Sequence, residues 1–282
     1  MSKNYLSIYA KSFNWAGFFL PKKIYKKCSV LYDFCRTIDD IADQELKLEI
    51  KVKQFNKFRD IFTNRDFNNQ IIRNIYEVID DLGISKKIIY DLFDGVESDL
   101  KKEIKINSKK ELLIYSYRVA GTVGLMMAKI LNVKKQNALK SAIDLGIAMQ
   151  LTNIARDVVE DSKKNRQYIN GDFESIKNTL MIADIFYKSS FSSIIDIPIN
   201  CRFGILVARR VYRQIGSNIL KKKNTENYNK SGKIHVSNLG KLYQTILSSF
   251  DFLILLFIKK KKHERYEEHK IINEEINLNE RI

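Results

Sequence analysis

The chain has 282 residues, of which 45% are apolar and 29% charged, a balance typical of a folded domain rather than a disordered segment. With only 2 prolines and 11 glycines, the sequence favours long helices over the many turns of a β-sandwich, barrel or propeller. Lys and Arg exceed Asp and Glu by 49 to 33, a formal net charge of +16. That surplus suits nucleic acid, an anionic membrane surface or a polyanionic substrate, and charge alone does not choose among them.

Apolar residues recur at helical spacing along most of the chain. The predicted helical segments, in chain order, are residues 1–45 with a break at Pro21, then 46–110, 111–131, 136–161, 173–190, 199–221 and 241–258. No repeat of fixed period and no compositional linker interrupts them. We therefore predict one all-α domain, a single helical bundle over residues 1–258, followed by a basic, charged C-terminal tail over residues 259–282.

The last apolar segment, residues 242–258, raises the question of a membrane. It has 17 residues and contains Asp251, whereas a spanning helix needs about 20 predominantly apolar residues. Its length therefore favours a core helix. The second interpretation is a peripheral contact with anionic lipid, helped by the four lysines at positions 259–262, and a spanning helix is the third.

Cysteine usage and the N-terminal residues both point to the cytoplasm. The three cysteines, Cys28, Cys35 and Cys201, form no CxxC pair and have no His at metal-ligand spacing, which argues against zinc and against a disulfide framework. Free thiols are typical of a reducing compartment. The first residues show no secretory signal. We expect a cytoplasmic protein, with peripheral contact at the inner face of the membrane as the extension of that expectation.

Two predicted helices carry a narrow polar stripe on an otherwise apolar surface. At about 100° per residue, four side chains of the first helix fall within roughly 60° of one another: Tyr32, Arg36, Asp39 and Asp43. Four side chains of the second fall within roughly 80°: Gln150, Asn153, Asp157 and Asp161. Each stripe ends in two aspartates spaced i, i+4. A single pair of this kind is usually a solvated face, but two pairs with the same pattern favour a shared function.

Because the rest of each helix is apolar, neighbouring helices should cover it and leave the stripe facing an internal cavity. Carboxylates in such a cavity repel each other and need a cation or a proton. Oxygen-only ligands favour Mg²⁺ or Mn²⁺, and Mg²⁺ commonly binds a few carboxylates together with substrate phosphates. The stripes therefore predict a metal and diphosphate cleft, with Arg36, Arg156 and Arg166 nearby to hold diphosphate oxygens.

These residues resemble the squalene/phytoene synthase family. Residues 32–43 and 153–161 are similar to its two aspartate-rich motifs, and residues 115–124 to its YxxxVAGxVG stretch. Three further segments also fit: Lys11-Ser12-Phe13 with Leu20-Pro21, Arg166-Gln167-Tyr168, and residues 208–212. The resemblance extends over residues 9–245 and is greatest to bacterial phytoene synthases.

The resemblance implies the isoprenoid synthase fold, a helical bundle with a central cavity. It implies a head-to-head condensation of two geranylgeranyl diphosphates through prephytoene diphosphate to phytoene, with release of diphosphate. Mg²⁺ or Mn²⁺ is implied, and NADPH is not. The implied partner is a prenyl diphosphate substrate, with a peripheral membrane contact in addition; no nucleic acid is expected.

The resemblance also implies site residues. Expected metal and diphosphate ligands are Asp39, Asp43, Asp157 and Asp161, with Asn153 as a further metal ligand. Expected substrate contacts are Ser12, Phe13, Tyr32, Arg36, Gln150, Arg156 and Tyr212. Tyr117 is a candidate catalytic residue for the second ionisation or for proton handling. Asn153 and Lys233 are expected substrate contacts as well. Lys233 stands where the family commonly has Arg, and lysine lacks the bidentate fork for phosphate.

Several alternatives stay open on the sequence. A squalene or dehydrosqualene-type synthase would use farnesyl diphosphate. Residues 39–43, Asp39-Asp40-Ile41-Ala42-Asp43, also match the DDxxD motif of head-to-tail elongases. The second motif lacks the doubled aspartate expected of an elongase. From a different class, a basic helical membrane- or nucleic-acid-binding module would cluster its lysines on one face, whereas here they are spread along the chain. The histidines, at 235, 263 and 269, lie outside both stripes and support no Ser-His-Asp mechanism.

Overall fold

A computed structural model of the chain describes residues 11–257 and 266–282, with side chains from residue 14 onward. The described residues are almost entirely helical, so the all-α prediction is confirmed. The α-helices are α1 (Lys11–Gly17), α2 (Lys22–Asp43), α3 (Leu48–Thr63), α4 (Gln70–Leu82), α5 (Lys86–Glu97), α6 (Lys109–Ser116), α7 (Thr122–Ile130), α8 (Gln136–Lys163), α9 (Phe173–Phe191), α10 (Ile199–Leu220), α11 (Thr225–Lys230), α12 (Asn238–Phe257) and α13 (Glu267–Glu275).

Short elements join these helices at the points that matter for the site. A π-helix, Tyr117–Gly121, connects α6 to α7, and 3₁₀ turns occupy Ser192–Asp196 and Leu278–Glu280. Two two-residue strands, β1 (Ile104–Lys105) and β2 (Arg166–Gln167), pair in parallel with Ile104 opposite Arg166. That pairing fixes the backbone that follows α8, and with it the position of Arg166.

Side-chain caps define several helix starts. The Asn69 side chain accepts hydrogen bonds from the backbone N–H groups of Ile71 and Ile72, which satisfies two donors that α4 leaves without an intrahelical partner. The Ser108 and Asp172 side chains each accept one such bond, from the backbone N–H groups of Glu111 in α6 and Ser175 in α9. These caps stand at polar residues that precede apolar runs, which is the pattern that sequence alone signals.

The long helix α8 is the centre of the bundle, and α7, α9, α10 and the π-helix pack around it. Two glycines allow its closest contacts. A Cβ at Gly124 of α7 would lie 2.2 Å from the Ala142 carbonyl oxygen, and one at Gly146 of α8 would lie 2.2 Å from the Ala120 carbonyl oxygen. Gly124 therefore serves helix packing at backbone contact distance.

The core between α2, α3, α4 and α5 is aromatic. Phe34 lies 5.7 Å from Phe62 and 6.0 Å from Phe93, measured between ring centroids, and Phe55 contacts Phe93 edge-on. These rings are fully buried. This cluster holds the helix of the first acidic stripe, α2, in place from its apolar side.

Residues 266–282 pack against the body of the bundle, which the sequence analysis did not predict for a charged tail. Ile272, Ile276 and Leu278 are buried in the main hydrophobic core. His269 Nε2 lies 3.0 Å from Asp144 Oδ2, and both side chains are buried. The alternation of charged and apolar residues in α13 thus forms an amphipathic helix with a buried face.

The helix α12 exposes one apolar face, so the core-helix interpretation of this segment is wrong. Its other face is tied to the bundle by an ion pair between the partly buried Arg210 and the buried Asp251, and by a hydrogen bond from Trp15 to Thr245. The exposed apolar residues of α12, 48% to 85% accessible, are Leu239, Leu242, Tyr243, Ile246, Phe250, Leu253, Ile254, Leu256 and Phe257. With 20 residues, α12 is long and apolar enough to cross a membrane by length and composition alone.

Candidate active site

A cavity of about 270 Å³ lies between α2, α8 and their neighbours. Tyr32 and Asp39 of α2 line it, as do Gln150 and Asn153 of α8 and Tyr212 of α10. Most of its remaining wall is apolar, from α1, α7, α8 and α10. The two stripes thus contribute to one hollow, with polar groups from both helices beside an apolar chamber.

Asp39 holds a strongly perturbed carboxyl group. Its side chain is open to water in the cavity, yet it lies deep in a concave surface with protein on most sides. Burial, and then the nearby carboxylates of Asp43 and Asp99, raise the pKa of Asp39 to about 7, against the opposing charge of Arg36. A carboxyl group with this pKa is poised to release a proton when a cation arrives.

Asp43 joins the first stripe to the segment that follows the second. Arg166 Nη1 donates to Asp43 Oδ1 at 2.7 Å, and Lys164 Nζ donates to Asp43 Oδ2 at 3.3 Å. Burial acts to raise the pKa of Asp43, but the ion pairs with Arg166 and Lys164 outweigh it and lower that pKa. Asp43 therefore carries a full negative charge at neutral pH.

Asp161 faces a second cavity of about 260 Å³, which Arg166 and Tyr168 also line. Burial and the charge of Asp157 raise the pKa of Asp161 to about 7, although Arg166 and Lys164 act in the other direction. Asp99 also acts on the pKa of both Asp39 and Asp161. The acidic groups of the two stripes therefore share one electrostatic environment around Arg166.

Asp157 is held by cations on two sides. The Arg156 guanidinium donates to both of its carboxylate oxygens, with Nε at 2.8 Å from Oδ1. Lys233 Nζ lies 3.3 Å from Asp157 Oδ1 and 2.6 Å from Glu160 Oε2. The Tyr228 hydroxyl of α11, which donates to the backbone carbonyls of residues 155 and 156, anchors the segment that carries Lys233.

Asn153 presents an oxygen with no hydrogen-bond partner. Its Oδ1 is buried, while its Nδ2 donates to Gln150 Oε1 at 3.4 Å. A buried polar atom without a partner costs about 1–3 kcal/mol, so an atom left in this state indicates a ligand. A carboxamide oxygen in the same cavity as the carboxyl group of Asp39 is a donor set that suits a hard divalent cation.

Within residues 11–257 and 266–282, no three His, Cys, Asp or Glu side chains converge closely enough to form a metal site by themselves. Arg156 and Arg166 instead form ion pairs with the carboxylates of Asp157 and Asp43. The geometry therefore fits cations that each take one or two protein oxygens and complete their shell with substrate phosphate and water. It does not fit a cage made of protein groups alone.

Two cavity tyrosines are close to the charged groups. Burial raises the pKa of Tyr212 to about 12, with Arg156 acting against it and Tyr32 and Asp157 adding to it. Burial also raises the pKa of Tyr32. Both hydroxyls are therefore protonated at neutral pH and are available as hydrogen-bond donors in the cavity. Arg36 is ion-paired with Asp40 at 2.6 Å.

The structure places Tyr117 differently from the expectation for a catalytic residue. It is fully buried, and its hydroxyl donates to Asp91 Oδ2 at 2.8 Å. Val119 and Ala120 of the same π-helix line the main cavity, but Tyr117 does not. The side chains of Ser12 and Phe13 lie outside the described residues.

Sequence reasoning missed a hydrogen-bonded group around Asp99. Tyr115 donates to Asp99 Oδ2 at 2.8 Å and Tyr168 to Asp99 Oδ1 at 2.8 Å, and the two rings stack with centroids 4.8 Å apart. Burial raises the pKa of Asp99 despite these bonds. The signal for both tyrosines was present in the motifs that contain them, whereas Asp99 stands alone after α5 and offers no pattern.

The squalene/phytoene synthase family model matches residues 7–174, more than half of the chain. A phytoene synthase of Pseudescherichia vulneris is 28% identical over 240 residues, which cover 73% of this chain and 77% of that protein. A phytoene synthase of Cereibacter sphaeroides is 30% identical over 241 residues, covering 74% and 68%. A 15-cis-phytoene synthase of a Paracoccus species is 36% identical over 149 residues, covering 46% and 49%.

Solved structures agree on the fold. A crystal structure of a dehydrosqualene synthase superposes with a TM-score of 0.71 at 27% identity, covering 87% of this chain and 93% of that one. A squalene synthase of Alicyclobacillus acidocaldarius superposes with a TM-score of 0.67 at 15% identity, covering 79% and 91%. By the matched family model, the similar relatives and the shared isoprenoid synthase fold, the chain belongs to the squalene/phytoene synthase family and is an enzyme of the prenyltransferase type.

Proposed function

We propose that the chain is a phytoene synthase that joins two geranylgeranyl diphosphates head to head through prephytoene diphosphate, releases diphosphate and forms phytoene for carotenoid biosynthesis. The observation that carries the proposal is that Asp39 and Asn153, from two different helices, line one cavity whose wall is mostly apolar. A prenyl diphosphate has the matching shape, since a dianionic or trianionic head is joined to a long hydrocarbon chain. The similarity to proteins named phytoene synthase supports the C20 substrate.

The family generally uses a divalent metal with a prenyl diphosphate, and the residues present fit such an ion. Asp39, Asp43, Asp157 and Asp161 would supply carboxylate oxygens, and the Oδ1 atom of Asn153 would supply a carboxamide oxygen. Bound Mg²⁺ or Mn²⁺ would neutralise diphosphate charge and favour departure of the leaving group. No NADPH is required, because the proposed product forms by loss of a proton rather than by gain of a hydride.

The basic side chains hold the diphosphate. Arg156 and Arg166 are largely buried beside the acidic stripes, and their planar forks suit phosphate oxygens bidentately. Arg36 and Lys233 stand further out as exposed or half-exposed charges. In this proposal Tyr32 and Tyr212 donate hydrogen bonds at the polar end of the cavity, and Gln150 orients Asn153. Ser12 and Phe13 are proposed contacts of the same substrate.

The apolar chamber protects the reacting chains from water. Burial raises the pKa of Cys28 to about 12 and keeps the Cys35 thiol neutral, so the cavity holds thiols rather than nucleophilic thiolates. Small and aliphatic wall residues such as Gly124, Ala128 and Leu145 offer no group that would trap a carbocation. In this proposal prephytoene diphosphate therefore ionises beside hydrocarbon side chains and the rings of Tyr32 and Tyr212.

A second candidate is a dehydrosqualene or squalene-type synthase acting on farnesyl diphosphate. The superposition on a dehydrosqualene synthase favours it as the alternative. The test is to incubate the purified chain with Mg²⁺ and either geranylgeranyl or farnesyl diphosphate, and to identify the hydrocarbon by mass spectrometry. A C40 product from the C20 substrate supports the proposal. A C30 product alone would replace it, and hydrocarbon formed only with NADPH would indicate a squalene synthase.

We further propose that this enzyme works on the cytoplasmic side of a membrane and lies against anionic lipid through α12. The exposed apolar face of α12 is continuous over its full length, and four lysines follow it in the sequence at positions 259–262. Because Asp251, Gln244 and Thr245 on the opposite face are bonded to the bundle, α12 is fixed along the body of the protein. This geometry suits a helix that lies in the lipid interface rather than one that spans it. In this arrangement residues 1–258 form the catalytic domain, and residues 266–282 pack against it.

A further inference from the structure

Arg281 forms a forked ion pair with Asp91 in the interior of the bundle. Its Nε lies 2.9 Å from Asp91 Oδ2 and its Nη2 lies 3.0 Å from Asp91 Oδ1. The two side chains are 17% and 8% exposed. The Tyr117 hydroxyl donates to the same Oδ2 atom at 2.8 Å. Three segments of the chain that are far apart in sequence therefore meet at one carboxylate, and we call these three residues the Asp91 clamp.

The clamp stands directly behind the wall of the cavity. Asp91 precedes Leu92 on α5, and Leu92 lines the cavity. Tyr117 begins the π-helix whose Val119 and Ala120 line the same cavity. A change in the position of Asp91 or of Tyr117 is therefore transmitted along one or two residues of backbone to the cavity surface.

The contact between α5 and the π-helix has no free space to absorb such a change. A Cβ added at Gly95 of α5 would lie 2.8 Å from Arg118 Cβ and 2.9 Å from Val119 Cγ1. Interiors packed at this density transmit small displacements instead of damping them. A shift of α5 at Gly95 would therefore press on Arg118 and Val119 of the π-helix.

A π-helix also needs external support. Its hydrogen bonds close wider turns than those of an α-helix, and such turns occur as short insertions, frequently beside functional sites. Here the insertion is five residues long, and its first side chain, Tyr117, is held by the clamp. The segment that supplies Arg281 makes a second attachment nearby, where Lys129 Nζ of α7 donates to the backbone oxygen of Ile282 at 2.6 Å.

We propose that Arg281 is a positioning residue, which acts through Asp91 and Tyr117 to hold the Val119–Ala120 part of the cavity wall in register with the bound prenyl chain. The inference rests on the proposed function and deepens it, because it assigns the substrate-facing geometry of the wall to residues that do not touch substrate. Loss of the Arg281 charge leaves a buried Asp91 without its cation, so the clamp opens and the π-helix relaxes. The hydrocarbon chain then binds without a fixed position relative to the diphosphate.

The test compares three clamp variants with one matched control. Arg281→Gln removes the cation, Arg281→Lys keeps the charge without the fork, and Tyr117→Phe removes one hydrogen bond while leaving the ion pair in place. Glu275→Gln is the control, since it deletes the exposed ion pair with Lys110 from the same segment. All measurements are made below the melting temperature of the least stable variant, which is determined first.

The first readout is hydrogen–deuterium exchange of peptides that cover residues 115–121. We expect Arg281→Gln to speed exchange there by on the order of tenfold, Tyr117→Phe to speed it less, and Glu275→Gln to leave it unchanged. The second readout is kcat and KM for geranylgeranyl diphosphate, where Arg281→Gln should lower kcat/KM by on the order of tenfold and Arg281→Lys should restore part of that loss.

Each possible result either supports or contradicts the role proposed for Arg281. Unchanged exchange at residues 115–121 in Arg281→Gln would show that the clamp does not hold the π-helix. Faster exchange with unchanged kcat/KM would show that the clamp is structural support with no part in the reaction. An inactive wild-type chain would overturn the proposed function separately, and exchange would still decide whether Arg281 holds the wall.

Discussion

Arg166 donates to Asp43 across 2.7 Å and so links the end of one acidic helix to the backbone that follows the other. This bond, together with the one from Lys164, links α2 to the segment that follows α8, and β1–β2 pairing holds the backbone of Arg166 in place. The same guanidinium lines the cavity of Asp161. Arg166 is therefore placed to align the two stripes as well as to contact diphosphate.

Replacement of Arg166 by Gln should lower activity and stability together. Without the guanidinium, the pKa of Asp43 should rise, since only Lys164 then opposes the effect of burial. We expect kcat/KM to fall by on the order of a hundredfold, measured by release of diphosphate. Lys164→Gln is the comparison, because Lys164 binds the same carboxylate at 3.3 Å from a half-exposed position. Equal losses in the two variants would contradict the special role of Arg166.

Asp39→Asn should abolish turnover and yet stabilise the metal-free protein. Because the folded-state pKa of Asp39 is about 7 against 3.8 for the unshifted group, ionisation favours the unfolded state. The stability gained by replacing Asp39 with Asn is therefore largest above about pH 7 and becomes smaller as the pH falls toward 3.8. We expect Asp39→Asn to raise the free energy of unfolding by about 1 kcal/mol at pH 8 with a chelator present. This is less than the pKa shift alone would give, because water reaches the group.

Denaturant unfolding at pH 8 and at pH 5 checks this expectation. Asp80→Asn is the control, because Asp80 is an exposed carboxylate paired only at the surface with Arg65. A stability gain in Asp80→Asn equal to that of Asp39→Asn, or a gain that grows on acidification, would contradict the assignment. Full activity in Asp39→Asn would remove it from the metal and diphosphate site.

Binding of Mg²⁺ with inorganic pyrophosphate should release protons near neutral pH. Asp39 and Asp161 both have a pKa of about 7, so each is partly protonated there, and a cation must displace those protons. Affinity should therefore rise with pH between about 6 and 8. Calorimetry in two buffers of different ionisation heat measures the protons released. Identical heats in both buffers would show that neither carboxyl group titrates on binding.

The apolar face of α12 should bind anionic vesicles. We expect the chain to float with phosphatidylglycerol vesicles, less with phosphatidylcholine vesicles, and less again at high salt, because lysine attraction is screened. The double variant Ile246→Asp, Phe250→Asp should lose binding while keeping its activity in detergent. Met181→Asp is the control, since Met181 is exposed on α9. Equal loss in the control, or binding that ignores lipid charge, would contradict this surface.

Much of the fold and of the site was accessible from the sequence. The periodicity that predicted a helix over residues 136–161 corresponds to α8, Gln136–Lys163, and the stripe geometry placed Asp39 and Asn153 on faces that share a cavity. Both successes depend on local spacing along one helix, which sequence displays directly.

The features that the sequence did not predict depend on contacts between residues that are far apart along the chain. Tyr117 and Tyr115 are two residues apart in the same motif, and only the structure shows that the first contacts Asp91 and the second Asp99. The exposed face of α12 was misjudged because an apolar helix has the same pattern whether a neighbour covers it or not. Residues 266–282 are mostly charged or polar, so their few apolar side chains gave no clear sign in the sequence that they are buried in the core.

The backbone contacts at Gly124 and Gly146 restrict how this enzyme can change. Even a single methyl group at either position would lie 2.2 Å from a carbonyl oxygen, so these two glycines, where α8 packs against α7 and the π-helix, do not accept a larger residue. A lineage that adapts to shorter or longer chains must therefore do so by trimming or enlarging side chains elsewhere around the chamber, such as Leu131 or Ile197. The helix contacts at Gly124 and Gly146 stay the same while the rest of the cavity wall changes.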